Sequence, residues 1–293
     1  MFDHVTIRAS DAAASERFYR TVLPAIGIEL TDTALGYEAD DFSFGQAEDP
    51  GRVTRRLHIA FAAPSREHVE AFWEAGMSAG YRDAGEPGPR RQYRYDYYGA
   101  FLLDPDGNSA EAVHHGDLRR DGVIDHLWLR VADVPAARAF YATIAPYAGL
   151  HVGHDEERHV QFAGSSGSFS LVAGAPTENL HMAFPAAENA TVDAFHEAAT
   201  AAGHRDNGGP GERLVYHPGY YAAFVLDPDG AGRQSATRTD PAPENPIRSF
   251  VAAVRSNSRP PEKGPRSTTG TRTFRPPWRS SSSRRTSRRG RCA

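Results

Sequence analysis

Apolar and polar positions alternate in short runs along this chain, and stripes of helical period separate the runs. In residues 3–9 (DHVTIRA), Val5 and Ile7 share one face of an expected strand and His4, Thr6 and Arg8 the other. Ser10 and Asp11 offer an N-cap for a helix from Ala12 to about Ile26, striped by Phe18, Val22 and Leu23. Residues 28–61 read as strands joined by turns at Gly36 and Asp49-Pro50-Gly51. In the last of them Leu57, Ile59 and Phe61 oppose His58 and Ala60. A second helix, about 66–79, opens at Pro64-Ser65 and stops at Gly80, with Val69, Phe72, Trp73 and Met77 at helical spacing. Residues 97–103 and 109–114 form a hairpin around Asp104-Pro105-Asp106-Gly107. On its second strand Ser109, Glu111 and Val113 share a face.

The pattern then repeats. YYGAFLLDPDGNSAE (97–111) returns as YYAAFVLDPDGAGRQ (220–234), an offset of 123 residues. DHVTIRASDAAASERFY (3–19) returns as DHLWLRVADVPAARAFY (125–141), and the block 57–83 returns at 180–206. Three blocks in one order identify a tandem duplication of a module of about 115 residues. The expected organisation is module one at 1–116, a short charged linker at 117–122, module two at 123–235 and a tail at 236–293. In module two, Leu127 and Leu129 oppose His126, Trp128 and Arg130. Leu180, Met182 and Phe184 oppose His181 and Ala183. Helices are expected at about 134–145 and 189–202.

Each strand that precedes a helix has an apolar face for that helix to cover, and histidine on the other. If the sheet curls around the second face, His4, His58 and Glu111 line a concavity. Two imidazoles and one carboxylate with open positions suit Fe(II), and also Mn(II) or Zn(II). His114, His115, His151, His154 and His159 have no counterparts in the other half and read as surface residues. In module two the position of Glu111 holds Gln234, a neutral and weaker ligand, so one competent metal site is expected.

Composition narrows the function. Residues 231–293 hold 15 Lys and Arg against 3 Asp and Glu, which leaves 18 against 34 in residues 1–230. An acidic body is not a nucleic-acid binder by electrostatics. No apolar run approaches the ~18 residues needed to span a bilayer. The N-terminal stretch has no basic segment leading into an apolar core, which points to a cytoplasmic protein. The single cysteine, Cys292, excludes a disulfide or thiolate metal site within the chain.

The residues DHVTIR with His4, LHIAF with His58 and YYGAFLLDPDGNSAEAV with Glu111 resemble the vicinal oxygen chelate superfamily. Its members are glyoxalases, bleomycin- and fosfomycin-resistance proteins, and extradiol dioxygenases. The resemblance covers roughly 3–115 and 124–230 and implies an α+β fold. Each module would contribute two βαβββ units, and paired units would form a curved mixed sheet around a divalent ion (Fe, Mn, Zn or Ni), with helices outside. Within a module the site would be His4, His58 and Glu111, the arrangement expected here. If units pair across modules, His126 replaces His4. The degenerate second site would be His126, His181 and Gln234, with His4 replacing His126 in the crossed case.

The resemblance implies a metal-dependent enzyme acting on a small oxygen-rich molecule by dioxygenase, lyase, isomerase or resistance-type chemistry. The alternative is a metal-free protein that sequesters a drug-like ligand, as in the bleomycin-resistance branch. The expected assembly is a monomer with an internal pseudo-dimer, or a homodimer. Tyr97 and Tyr98 point to opposite faces of their strand. Tyr98 and His217 are the candidate catalytic residues. The Arg-, Ser- and Pro-rich tail is expected to be disordered, as a functional basic arm or as the product of a reading-frame change after Gly230.

Overall fold

The computed structural model describes residues 1–119, 121–165, 167–216 and 218–230, and the backbone of the strand Gly232–Arg238. The candidate His217, the side chain of Gln234 and the tail beyond 238 lie outside the described residues. The chain folds as four βαβββ units in sequence. The first holds β1 (His4–Ala9), α1 (Ala12–Val22), β2 (Thr31–Thr33), β3 (Gly36–Ala39) and β4 (Phe42–Gln46). The second holds β5 (His58–Ala62), α2 (Arg66–Ser78), β6 (Arg82–Pro89), β7 (Tyr98–Leu103) and β8 (Ser109–His114). The third holds β9 (Ile124–Val131), α3 (Val134–Ile144), β10 (His151–Glu156), β11 (His159–Ala163) and β12 (Ser168–Ala173). The fourth holds β13 (His181–Ala183), α4 (Asn189–Ala201), β14 (Arg205–Glu212), β15 (Tyr220–Leu226) and β16 (Gly232–Arg238).

Local signals act as the sequence indicates. The Asp11 carboxylate accepts from the Ala14 amide at 3.0 Å and caps α1. That helix stops earlier than Ile26: Pro24 brings no N–H to continue it, and the chain takes one 3₁₀ turn over Pro24–Ile26. The 104–107 turn is tied by Asp104, whose Oδ1 accepts from the Asn108 amide at 2.8 Å. Gly107 supplies the left-handed φ of 84° that the turn needs.

The units pair across the modules. An eight-stranded sheet runs β10-β11-β12-β9-β5-β8-β7-β6, joining the third unit to the second. The seam is the antiparallel β5–β9 pair, with Ala60 opposite His126 and His58 opposite Trp128. The first unit joins the fourth instead, through β1 and β13, with His4 opposite Ala183. The cup within one module expected from the sequence is therefore replaced by two crossed cups. Residues 53–57 and 176–180 carry the chain between cups and bond to each other. Thr54 Oγ1 donates to the Asn179 carbonyl at 2.7 Å, and Arg56 Nε to the Pro176 carbonyl at 2.7 Å.

The linker is an anchor as well as a connector. Arg119 is almost fully buried and pairs with Asp41 at the start of β4. Asp41 also accepts from the Val123 and Ile124 amides at 2.9 and 3.1 Å, which fixes where β9 begins. The apolar strand faces pack under the helices in one core that includes Phe18, Phe44, Phe61, Phe72, Phe140 and Phe169. Among the described residues no helix is long and apolar enough to cross a membrane.

Candidate metal centre

Strand alternation turns His58 of β5, Glu111 of β8 and His126 of β9 to the concave face of the eight-stranded sheet. One ligand atom from each lies within 4.8 Å of the others. His58 Nε2 is 3.0 Å and His126 Nε2 3.7 Å from Glu111 Oε2. Two donors bound side by side at about 2.1 Å from an ion sit about 3 Å apart, so this spacing fits a divalent cation. His4 is not part of the cluster. It lies in the other cup, with its Nε2 2.7 Å from His181 Nε2.

Every converging donor has a partner behind it. His126 Nδ1 lies 2.8 Å from Asp125 Oδ1 and His58 Nδ1 3.0 Å from Ser109 Oγ, so a proton on each Nδ1 leaves both Nε2 atoms facing inward as donors to an ion. Glu111 Oε1 accepts from the Tyr97 hydroxyl at 2.7 Å, which leaves Oε2 facing the imidazoles. Gly99 makes room for this carboxylate, since a Cβ there would collide with Glu111 Oε1. In the other cup His181 Nδ1 is buried without a partner. The position that matches Ser109 is Gly232, which has no side chain to offer.

Burial dominates the charges. It pushes the Glu111 carboxyl up to about 7, against the His126 charge and the Tyr97 hydrogen bond. Burial, helped by the Arg130 charge, takes His58 down to about 3. His58 is thus a neutral donor, and Glu111 sheds its proton near neutrality. Burial also pushes Asp125 up, but hydrogen bonds from His115 and His126 outweigh it and hold the group well below the usual carboxylate range.

The centre opens into a cavity of about 780 Å³. Trp128, Tyr93 and Phe101 form its apolar wall, and Gln161, Ser168 and Ser170 its polar one. Trp128 is stacked on His159 at 5.2 Å and meets Tyr93 edge-on at 5.8 Å. His115, His154 and His159 line this cavity; His115 and His159 are half-buried, whereas His154 is exposed as the sequence suggests. The hairpin register decides between the two tyrosines. Phe101 pairs with Glu111, and Tyr97 shares the face of Phe101. Tyr98 points away and donates to Glu70 of α2 at 2.7 Å, so it does not reach the site. On the backbone of β16, Gln234 pairs with Phe224 as Glu111 pairs with Phe101.

Comparison with known proteins agrees with this architecture. Residues 1–112 match the family described as the Glyoxalase/Bleomycin resistance protein/Dioxygenase superfamily. No curated protein matches the chain in sequence. Among solved structures, a glyoxalase I mutant from Zea mays is similar at 18% identity, covering 80% of this chain and 93% of its own, with a TM-score of 0.61. A putative dioxygenase from Bacillus subtilis is similar at 13% identity, covering 82% and 85%, with a TM-score of 0.55. A glyoxalase/bleomycin resistance protein from Albidiferax ferrireducens is 30% identical over 39% of this chain and 99% of its own, with a TM-score of 0.36.

Proposed function

Because this chain belongs, through residues 1–112, to the glyoxalase/bleomycin resistance protein/dioxygenase superfamily, we propose that it is a metal-dependent enzyme of that superfamily. Its substrate is a small oxygen-rich molecule held in the crossed cup, and its ligands are His58, Glu111 and His126. One observation carries the reading. Three metal-ligating side chains from three strands converge, and each has its own hydrogen-bond partner in Ser109, Tyr97 or Asp125.

When bound, a divalent ion supplies Lewis-acid polarisation of neighbouring substrate oxygens. The side chains of the chain do the rest. Tyr97 keeps Glu111 turned so that one oxygen faces the donors. Trp128, Tyr93 and Phe101 exclude water from one side of the cavity and hold the apolar part of the substrate. Gln161, Ser168 and Ser170 offer hydrogen bonds to its oxygens. Beside His126 in register stands Ser168, not a second carboxylate. A face of two histidines and one carboxylate with open positions suits Fe(II) oxygen chemistry, so ring opening or oxygen addition is favoured over isomerisation.

Elemental analysis of the purified protein tests the proposal. About one Fe, Mn, Zn or Ni per chain is expected, lost in His58→Ala, Glu111→Ala and His126→Ala and kept in His4→Ala. A wild-type protein that takes up none of these ions, even when they are supplied in excess, would overturn it in favour of metal-free ligand sequestration.

A further inference from the structure

We propose that His115 is a positioning residue of this centre, acting through Asp125 on His126. The inference rests on the metal reading above and extends it to a residue that touches none of the three donors' inward atoms. His115 follows β8, and alternation from Glu111 through Val113 brings it to the same side of the sheet. Its Nε2 lies 3.1 Å from Asp125 Oδ2, while Asp125 Oδ1 lies 2.8 Å from His126 Nδ1. The carboxylate is gripped at both oxygens, by one imidazole each. Only His126 reaches the ion site, so the office of His115 is to fix the plane of the carboxylate, and with it the angle of the His126 ring.

His115 is itself held from the other side. Its ring stacks on Tyr97, with centroids 6.0 Å apart and planes 24° from parallel. Tyr97 in turn donates to Glu111 Oε1. One continuous chain of contacts therefore runs from His126 through Asp125, His115 and Tyr97 to Glu111, so that two of the three donors share one brace. The tautomer follows. Donation to Asp125 requires a proton on Nε2, and in the neutral ring this leaves Nδ1 as a bare lone pair; that atom is buried and has no partner. A bare acceptor is the less costly group to leave unsatisfied in such a place.

The other half of the chain supplies a contrast. Asp3 precedes His4 as Asp125 precedes His126, and Asp3 Oδ2 lies 2.9 Å from His4 Nδ1. The position matching His115 is Arg238. The Asp–His pair is thus common to both cups, but in sequence the second histidine belongs to one half alone.

The test compares wild type, His115→Ala, His115→Gln and, as a control on an exposed position, His151→Ala. Mn(II) affinity is measured by calorimetry, and the visible absorption of the Co(II)-loaded protein reports the ligand field. His115→Ala is expected to weaken Mn(II) binding about tenfold and to alter the Co(II) spectrum. His115→Gln, whose amide N–H can still donate to Asp125, recovers most of both, and His151→Ala changes neither. Affinity in His115→Ala within about twofold of wild type, or a Gln variant as weak as the Ala variant, would overturn the inference and leave the metal reading intact. A wild-type protein that binds neither ion overturns both.

Discussion

Gly99 tests how tightly the Glu111 carboxylate must be held. It lies in β7 opposite Val113. A Cβ at Gly99 would stand well inside van der Waals contact of Glu111 Oε1 and 3.2 Å from Tyr97 Cε1. Gly99→Ala must therefore displace the carboxylate by about 1 Å to restore an ordinary contact distance. That displacement takes Oε1 out of range of the Tyr97 hydroxyl, now at 2.7 Å, and moves Oε2 relative to His58 and His126. A hydrogen bond to a charged group contributes about 1.5–3 kcal/mol. Converted to affinity this is roughly ten- to a hundredfold, at about 1.4 kcal/mol per tenfold. Overpacking separately lowers stability by about 1–3 kcal/mol, so urea unfolding of the variant accompanies the binding measurement. The assay is calorimetric titration of metal-stripped protein with Mn(II). Gly88→Ala is the control, since the added methyl there meets only the far end of the Arg90 side chain, at 3.0 Å. A folded Gly99→Ala protein with wild-type affinity would refute the claim that Glu111 is a precisely seated ligand. The other half of the chain has Ala222 at the matching position, where the carboxylate is replaced by Gln234.

Three further outcomes are expected. With Glu111 raised to about 7 and His58 lowered to about 3, an incoming ion displaces a proton from Glu111 below neutrality and none from His58. Mn(II) affinity should therefore rise with pH up to about 7, with more protons released per ion at pH 6 than at pH 8; calorimetry in buffers of different ionisation enthalpy measures this, and proton release independent of pH contradicts it. Tyr97→Phe should weaken Mn(II) binding about tenfold, while Tyr98→Phe, which loses only a bond to Glu70, should bind as wild type in the same titration. Arg119→Met should destabilise the fold by about 3–5 kcal/mol by stranding the buried Asp41 charge, and adding Asp41→Asn, which removes the charge but keeps an oxygen for the Val123 and Ile124 amides, should restore part of it; differential scanning fluorimetry checks both, and equal melting temperatures for single variant and wild type would refute the anchoring role.

Much of this could be read from residue order. Alternation in 57–62 and 109–114 turned His58 and Glu111 to the same side, and the 123-residue offset exposed the duplication and the Gln234 that stands where the first copy has Glu111. The pairing of units could not be read. DHVTIR and DHLWLR share one alternation and one Asp-His pair, so either strand satisfies β5 by pattern. The crossed pairing rests on contacts distant in sequence, those of Thr54 and Arg56 with Asn179 and Pro176 and that of Arg119 with Asp41 before β4, which alternation within a strand does not reveal. His115, His154 and His159 were set aside because the other half lacks them. That inference assumes two equal cups, whereas the cups differ in the donors they bring together. The choice of Tyr97 over Tyr98 was within reach, because the turn at 104–107 fixes the register that puts Phe101, and hence Tyr97, beside Glu111.

The crossed pairing has a consequence for inheritance as well as for chemistry. In a dimer of identical modules, any substitution strikes both cups at once, so such an assembly keeps two working centres or none. Joining the copies in one polypeptide removes that constraint. One cup can hold its ligands while the other drifts, yet neither half can be discarded, because His126 comes from one and His58 with Glu111 from the other.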